Sequence, residues 1–312
     1  MRIIFAGTPE TAVPSLKKLN DEHSIVAVLT RAPAKVGRKQ ELRNSPVHEM
    51  ALELGLPVLT PSSLKGPEIE AVITELAPEA IAVVAYGLLI PKNLLDVPTH
   101  GWFNLHFSLL PRWRGASPVQ AALAAGDEVT GTSVFRIEAG LDTGPIASML
   151  EEKIPDDADA EAMLKHLSHT GAQQLTDVFE TMSEGKLVLT EQEGESTYAG
   201  LLRARDGEIN WLKDATAIRN QIRGLNPEPG TWSTLHGQRI KIRGARIDGT
   251  ALEPGQILLG KKVLVGTGSQ SIELDMVAPA GKRWMEASAW ARGLKGDALI
   301  FDIKNEDEGS DQ

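Results

Sequence analysis

Four apolar runs without polar alternation, IIFAG (3–7), SIVAVLT (24–30), LPVLT (56–60) and AIAVVAYG (80–87), constrain this chain most. Strands of that kind must be covered on both faces. Stretches with helical spacing separate them, at 11–19, 46–54 and 67–76, with Pro14 tolerable in a first turn. This alternation predicts an α/β fold, a doubly wound and mostly parallel sheet. In such sheets ligands bind outside the carboxyl ends of the strands. Gly7, Tyr86-Gly87 and the segment 104–108 would stand at those ends. The first turn, Gly7-Thr8-Pro9-Glu10, lacks the GxGxxG spacing of dinucleotide folds, so nicotinamide chemistry is poorly supported.

The pattern changes along the chain. A strand is expected at 145–155 and a long amphipathic helix at 156–184, where Ala162, Leu164, Leu167, Ala172, Leu175, Val178, Phe179 and Met182 approximate one face. Residues 1–185 thus read as one domain, and the polar, irregular 186–205 as a surface linker. A short helix follows, with Asp214 as its cap. Then come five short β-rich segments, TWSTLHG, QRIKIRGARI, GQILLG, KKVLVGTG and SIELDMV, most of them separated by glycine turns. A helix followed by such strands predicts a small β-barrel over 206–304, of the oligonucleotide-binding (OB-like) type. A last helix is expected at 288–294 and a disordered acidic tail at 305–312.

Charge sharpens that division. The net charge of −10 argues against broad nonspecific nucleic-acid binding. Yet residues 1–202 carry 16 Lys and Arg against 27 Asp and Glu, whereas 203–304 carry 16 against 11, a surplus of +5. The asymmetry suggests a polyanion partner for the second half, and an ordinary mixed surface is the alternative. The absence of Cys removes disulfides and thiolate catalysis and fits a cytoplasmic protein. No apolar run has the length of a membrane span. Met1-Arg2 leads straight into the first strand, without a signal-peptide pattern. Between strands two and three, Arg31, Lys35, Arg38, Lys39 and Arg43 crowd a stretch with no periodicity. It reads as an exposed loop: either a solvated connection or a basic finger for a phosphate backbone.

The stretch 101–145 holds the candidate chemistry. Asn104 and His106, two apart on a strand, point to one face. Ser108 carries that face into a turn ending at Pro111, and Asp142 lies in the glycine-flanked loop Gly140-Leu141-Asp142-Thr143-Gly144. An imidazole can move a proton in either direction near neutrality. A fixed carboxamide can stabilise an oxyanion, and a carboxylate can orient and charge-stabilise the imidazole. Together they suit attack of a neutral nucleophile on a carbonyl, with no serine elbow or thiol for a covalent intermediate. On residue type alone, a structural histidine and an aspartate serving only its turn remain open. A metal site is not supported, since His100 and His106 stand far apart along a strand and no HxH or HxxxH pair accompanies them.

Asn104-Leu105-His106-Phe107-Ser108-Leu109-Leu110-Pro111-Arg112-Trp113-Arg114-Gly115, followed by GLDTGP, resembles the folate-dependent formyltransferase family. RIIFAGTPE at the start, SPVHEMALELGLPV (45–58), VVAYG (83–87), IRGLNPEPGTW (222–232) and PAGKRWM (279–285) extend the resemblance essentially end to end. It implies an N-terminal folate-binding domain and a C-terminal barrel that grips tRNA, with 10-formyltetrahydrofolate as donor and initiator methionyl-tRNA as acceptor for translation initiation. Asn104, His106 and Asp142 would form the catalytic trio. Ser108, Leu109, Leu110 and Pro111 would bind tetrahydrofolate. Tyr86, Gly87, Gly140 and Leu141 would line the pterin pocket, largely through backbone groups. Arg38, with Lys35 and Lys39, would reach the acceptor arm. No metal is implied, and a monomer is expected. One departure stands out: the family's loop resembles PDRPAGRGKKL, whereas this chain has APAKVGRKQEL at 32–42, with Glu41 where a base is common. Formyltransferases for small amines, such as glycinamide ribonucleotide or an amino-sugar nucleotide, are the nearest alternative. A non-catalytic RNA-binding protein would have no need of an intact trio.

Overall fold

The apolar runs assemble into two sheets. The computed structural model describes residues 1–37, 40–294 and 299–303. These group into two units, one of Met1–Pro118, Val129–Lys153 and Leu164–Ala199, the other of Val119–Glu128, Ile154–Met163 and the described residues from Gly200 onward. The stretch 186–205, expected as a linker, is therefore divided at Ala199 and Gly200.

The first unit is built on seven strands: β1 (Arg2–Gly7), β2 (Ser24–Leu29), β3 (Val58–Leu59), β4 (Ala80–Val84), β5 (Trp102–His106), β6 (Val129–Arg136) and β7 (Ile146–Lys153). Their order is β7-β6-β5-β4-β1-β2-β3. The strands from β5 to β3 run parallel, while at one edge β6 pairs antiparallel with β5 and β7 antiparallel with β6. The mostly parallel sheet is thus the one the sequence predicts. Residues 80–84 are buried throughout, whereas β7 alternates as an edge strand should. Phe103 of β5 meets Phe179 of the long helix edge-on, ring centroids 6.0 Å apart.

Three local features differ from these expectations. The LPVLT run pairs only through Val58 and Leu59, because it lies at the sheet's outer edge. The long helix spans Ala160–Ser183 instead of beginning at 156, since the Asp159 carboxylate accepts the Ala162 N–H at 2.9 Å and caps it. The basic loop is not wholly irregular: Ala34–Val36 pairs antiparallel with Glu41–Arg43, and all six residues are exposed.

The second unit carries β8 (Thr231–Leu235), β9 (Gln238–Asp248), β10 (Gln256–Leu259), β11 (Val263–Gly266), β12 (Ser271–Pro279), β13 (Met285–Glu286) and β14 (Leu299–Ile300). The order is β8-β9-β12-β11-β10-β14, with β13 added on β12, and every pairing is antiparallel. The expected small barrel takes the form of an antiparallel half-barrel. Its core stacks Trp211 on Phe301 at 5.1 Å and buries Ile218 and Ile222 of the helix Ala215–Leu225. Asp214 caps that helix, accepting the Ala217 N–H at 2.9 Å. Residues 304–312, including the expected acidic tail, lie outside the described residues.

Candidate active site

The pleat of β5 places Asn104 and His106 on one face, where they pair with Phe135 and Ser133 of β6. Asn104 is half-buried, and its carboxamide has no hydrogen-bond partner among the described residues. His106 is 6% exposed. Its Nε2 lies 2.9 Å from the Trp113 carbonyl oxygen. A carbonyl only accepts, so Nε2 carries the proton and Nδ1 holds the free lone pair of the neutral ring. That Nδ1 faces Asp142 Oδ2 at 4.0 Å. Burial pushes the His106 pKa below its ordinary value, and the Asp142 carboxylate and the Trp113 carbonyl partly oppose that fall. Near neutrality the ring is therefore an uncharged base beside a carboxylate.

Both loops that hold the imidazole have left-handed backbone. Trp113 (φ 59°) turns its carbonyl onto Nε2, and Asp142 (φ 51°) turns its carboxylate toward Nδ1. Asp142 Oδ2 accepts the Gly115 N–H at 2.8 Å, which joins the two loops. Gly115 itself has φ 117° and lies so close to the Ala199 carbonyl that a Cβ would meet it at 2.5 Å. Gly144 passes the Arg136 carbonyl without room for a side chain.

The other expected site residues take different positions. Ser108 and Leu110 are buried, and the turn is tied to β6 by Ser133, whose hydroxyl donates to the Ser108 carbonyl (2.7 Å) and accepts the Leu110 N–H (3.1 Å). Ser108 Oγ donates to the Arg112 carbonyl at 2.6 Å. Leu109 and Pro111 are half-buried in the same turn. The Tyr86 side chain turns into the core with Ile4, Leu29 and Leu94, and burial pushes its phenol up to about 12. Gly87, with φ 82°, is exposed, as are Gly140 and Leu141. Lys35 projects from the exposed hairpin; Arg38 and Lys39 lie outside the described residues. Among the described residues no three His, Asp or Glu converge to hold a metal.

Two residues around the site have no counterpart in the sequence reading. Gln192 Nε2 donates to the Asp142 and Gly144 carbonyls, both at 2.8 Å, while Thr197 Oγ1 accepts the Trp113 N–H at 2.9 Å. Gln192 lies 50 residues from Asp142 and Thr197 lies 84 from Trp113, separations that no local pattern reports.

On the second unit, β9 alternates Arg239 and Lys241 on the exposed face with buried Ile240 and Ile242. The Arg239 guanidinium stacks over Trp232, 3.7 Å from the ring centroid. Arg243, Arg246 and Lys262 are paired with carboxylates of their own unit. Among the described residues Lys241, Lys282 and Arg283 have no such partner, and the hairpin carrying the last two is tied to β9 through Ala280 N–H and the Arg239 carbonyl.

The mostly parallel sheet, with Asn104 and His106 on β5 and Asp142 in the adjoining loop, is that of a formyl transferase. The Formyl transferase family model matches residues 1–179, and the Formyl transferase, C-terminal domain model matches residues 201–295. Among solved structures, a sugar 3N-formyl transferase superposes with a TM-score of 0.68 at 17% identity, covering 91% of this chain and 99% of its own. Methionyl-tRNA formyltransferase from Clostridium thermocellum does so with a TM-score of 0.55 at 20% identity, covering 80% and 94%. At such identities these show the fold alone. Sequence discriminates further. Methionyl-tRNA formyltransferase of Arthrobacter sp. (strain FB24) is 51% identical over 97% of this chain and all of its own length, and that of Corynebacterium diphtheriae is 48% identical over 95% and 97%. The chain belongs to the methionyl-tRNA formyltransferase family.

Proposed function

We infer that this chain transfers a formyl group from 10-formyltetrahydrofolate to the amino group of methionine on initiator methionyl-tRNA, for translation initiation. The observation that carries the chemistry is the Asn104 carboxamide, half-buried without a protein partner on the same strand face as a neutral His106. A half-buried carboxamide with no protein partner is free to donate to a formyl oxygen, so the residues present fit a formyl donor. When bound, 10-formyltetrahydrofolate supplies a formyl carbon on a nitrogen leaving group.

The chain's residues then have distinct tasks. Asn104 donates to the oxygen that becomes negative as the methionyl amine adds. His106 Nδ1, the free lone pair, takes the proton that the amine loses. Asp142 stabilises the imidazolium so formed, and His106 returns the proton to the departing nitrogen. One C–N bond forms, one breaks, and a single proton moves between the two nitrogens. The loops of Gly87 and of Gly140 and Leu141 offer exposed backbone for the pterin, and the turn 108–111 supports the rest of the folate.

The second unit supplies the grip on the acceptor. Arg239, Lys241, Lys282 and Arg283 are among the described cations that its own carboxylates leave for phosphate, and Trp232 lies beneath Arg239. We assign residues 1–185 to catalysis and 206–304 to tRNA, the chain acting as a cytoplasmic monomer. Among the described residues no helix is long and apolar enough to cross a membrane. The double variant Arg239→Glu, Lys241→Glu is expected to raise KM for tRNA about ten-fold or more at low salt, and to flatten its salt dependence by about two phosphate contacts. Unchanged KM and salt slope would remove this face from the tRNA contact. Formylation of charged initiator tRNA by the full chain tests the activity, and no formylated product would overturn it.

A further inference from the structure

We propose that Gln192 and Thr197 are positioning residues for formyl transfer, and that the segment 190–199 is a strap clamping the two loops on either side of the His106 imidazole. The proposal rests on His106 and Asp142 being the reacting pair.

The strap is anchored at both ends. Thr190 exchanges two backbone hydrogen bonds with Ile146, at 2.7 and 2.9 Å, where β7 begins. Tyr198–Ala199 runs parallel to Arg114–Gly115 as a two-residue ladder. Between these anchors a single carboxamide spans the two loops. Both Gln192 Nε2 hydrogens are used on the Asp142 and Gly144 carbonyls, while Oε1 accepts from Arg114 Nη2 at 2.6 Å and from Nε at 3.2 Å. Every hydrogen-bonding position of a glutamine side chain is thus used, and all its partners lie in the loops that carry Trp113 and Asp142.

Thr197 acts on the other side of the ring. Its Oγ1 accepts the Trp113 N–H at 2.9 Å, and its carbonyl accepts the Arg114 N–H at 2.8 Å. Trp113 is then held by its amide while its carbonyl fixes the proton on His106 Nε2. The paired ladder likewise fixes Gly115, whose N–H holds Asp142 Oδ2. The strap thereby sets both the tautomer of the imidazole and the place of its counter-charge without touching the imidazole. A plain surface linker would need none of these bonds: Val188 and Leu201, just outside the strap, are 74% and 75% exposed.

Gln192→Glu keeps the contact to Arg114 but loses both donors and sets a carboxylate against two carbonyls. Thr197→Val removes the acceptor at nearly constant volume, and Thr197→Ser keeps it. For Gln192→Glu and Thr197→Val we expect kcat to fall about 10- to 100-fold while the KM values for folate and tRNA hold, because the loss is of alignment. In Gln192→Met, which loses the same donors without adding a charge, the limb of the pH profile that titrates His106 should also move to lower pH, since the loop that carries the Asp142 carboxylate is no longer held by its carbonyls. Thr197→Ser should match the parent. Wild-type kcat in Gln192→Glu and Thr197→Val and a wild-type pH profile in Gln192→Met, with His106→Ala about a thousand-fold slower, would overturn the strap alone. Near wild-type turnover in His106→Ala would overturn the reading beneath it. Should Gln192→Glu fail to fold, the Thr197 pair decides, and equal kcat for Thr197→Val and Thr197→Ser would refute the proposal.

Discussion

His106→Ala is expected to lower kcat by about three orders of magnitude, the range lost with a general acid–base in the reacting position. The ring is 6% exposed, sits between two loops and is the only titratable group on the Asn104 face of β5. Its removal takes away the acceptor for the amine proton and the donor for the departing nitrogen at once. Folate affinity should change little, since the groups assigned to the folate belong to other segments, at 87, 108–111 and 140–141. Steady-state kcat measured beside a folate titration by fluorescence checks both halves of the expectation. Near wild-type turnover would show that proton movement runs through another group.

Asp142→Asn is the second large effect, and its direction follows from the tautomer. In a triad whose aspartate sets the tautomer, replacing that aspartate with a carboxamide is ruinous. Here the Trp113 carbonyl performs that task, and the oxygen of the substituted carboxamide could still accept the Gly115 N–H. The loss is therefore that of the carboxylate's charge, and kcat should fall about 100-fold, less than for His106→Ala. The Asp142 charge raises the His106 pKa against the larger effect of burial. Without it that pKa drops further, so the acidic limb of kcat/KM moves to lower pH than in the parent. Stability follows the same sign. A histidine whose folded pKa lies below its unfolded value of about 6.5 stays neutral in both states above that pH. As pH falls below it, the unfolded chain takes up the proton first, and stability declines until the folded pKa is reached. Asp142→Asn should extend that decline to lower pH, visible as a steeper loss of thermal midpoint in acid. A limb that moves upward would contradict the geometry.

The parts legible in the sequence are those governed by local pattern. The apolar runs at 3–7, 24–30 and 80–87 became central strands because burial on both faces leaves no alternative, and Asn104 and His106 share a face because a strand has period two. Asp142 needed the resemblance to join them, since a carboxylate in a glycine turn carries no address. The side-chain direction of Tyr86 was hidden for another reason. Just beyond β4 the backbone turns through a left-handed Ala85, and the Tyr86 ring packs into the core, which leaves only its backbone for the pterin role the resemblance implies. Gln192 and Thr197 lay in a stretch that reads as linker because it is polar and aperiodic. Its order comes from bonds to loops 48 to 84 residues away, which periodicity cannot report. In the second unit the +5 surplus does not say which cations are unpaired. Arg243, Arg246 and Lys262 are engaged by internal carboxylates, and only the tertiary structure separates them from Lys241 and its neighbours.

Formyl transfer by this site ends on the methionyl amine of initiator tRNA. It is tested most directly by offering the full chain 10-formyltetrahydrofolate labelled in the formyl group together with charged initiator tRNA, charged elongator methionyl-tRNA and glycinamide ribonucleotide in equal amounts. The label should appear on the initiator methionine, and about a thousand-fold more slowly after His106→Ala. Label on glycinamide ribonucleotide in preference to tRNA, or equal labelling of the two tRNAs, would contradict the assignment.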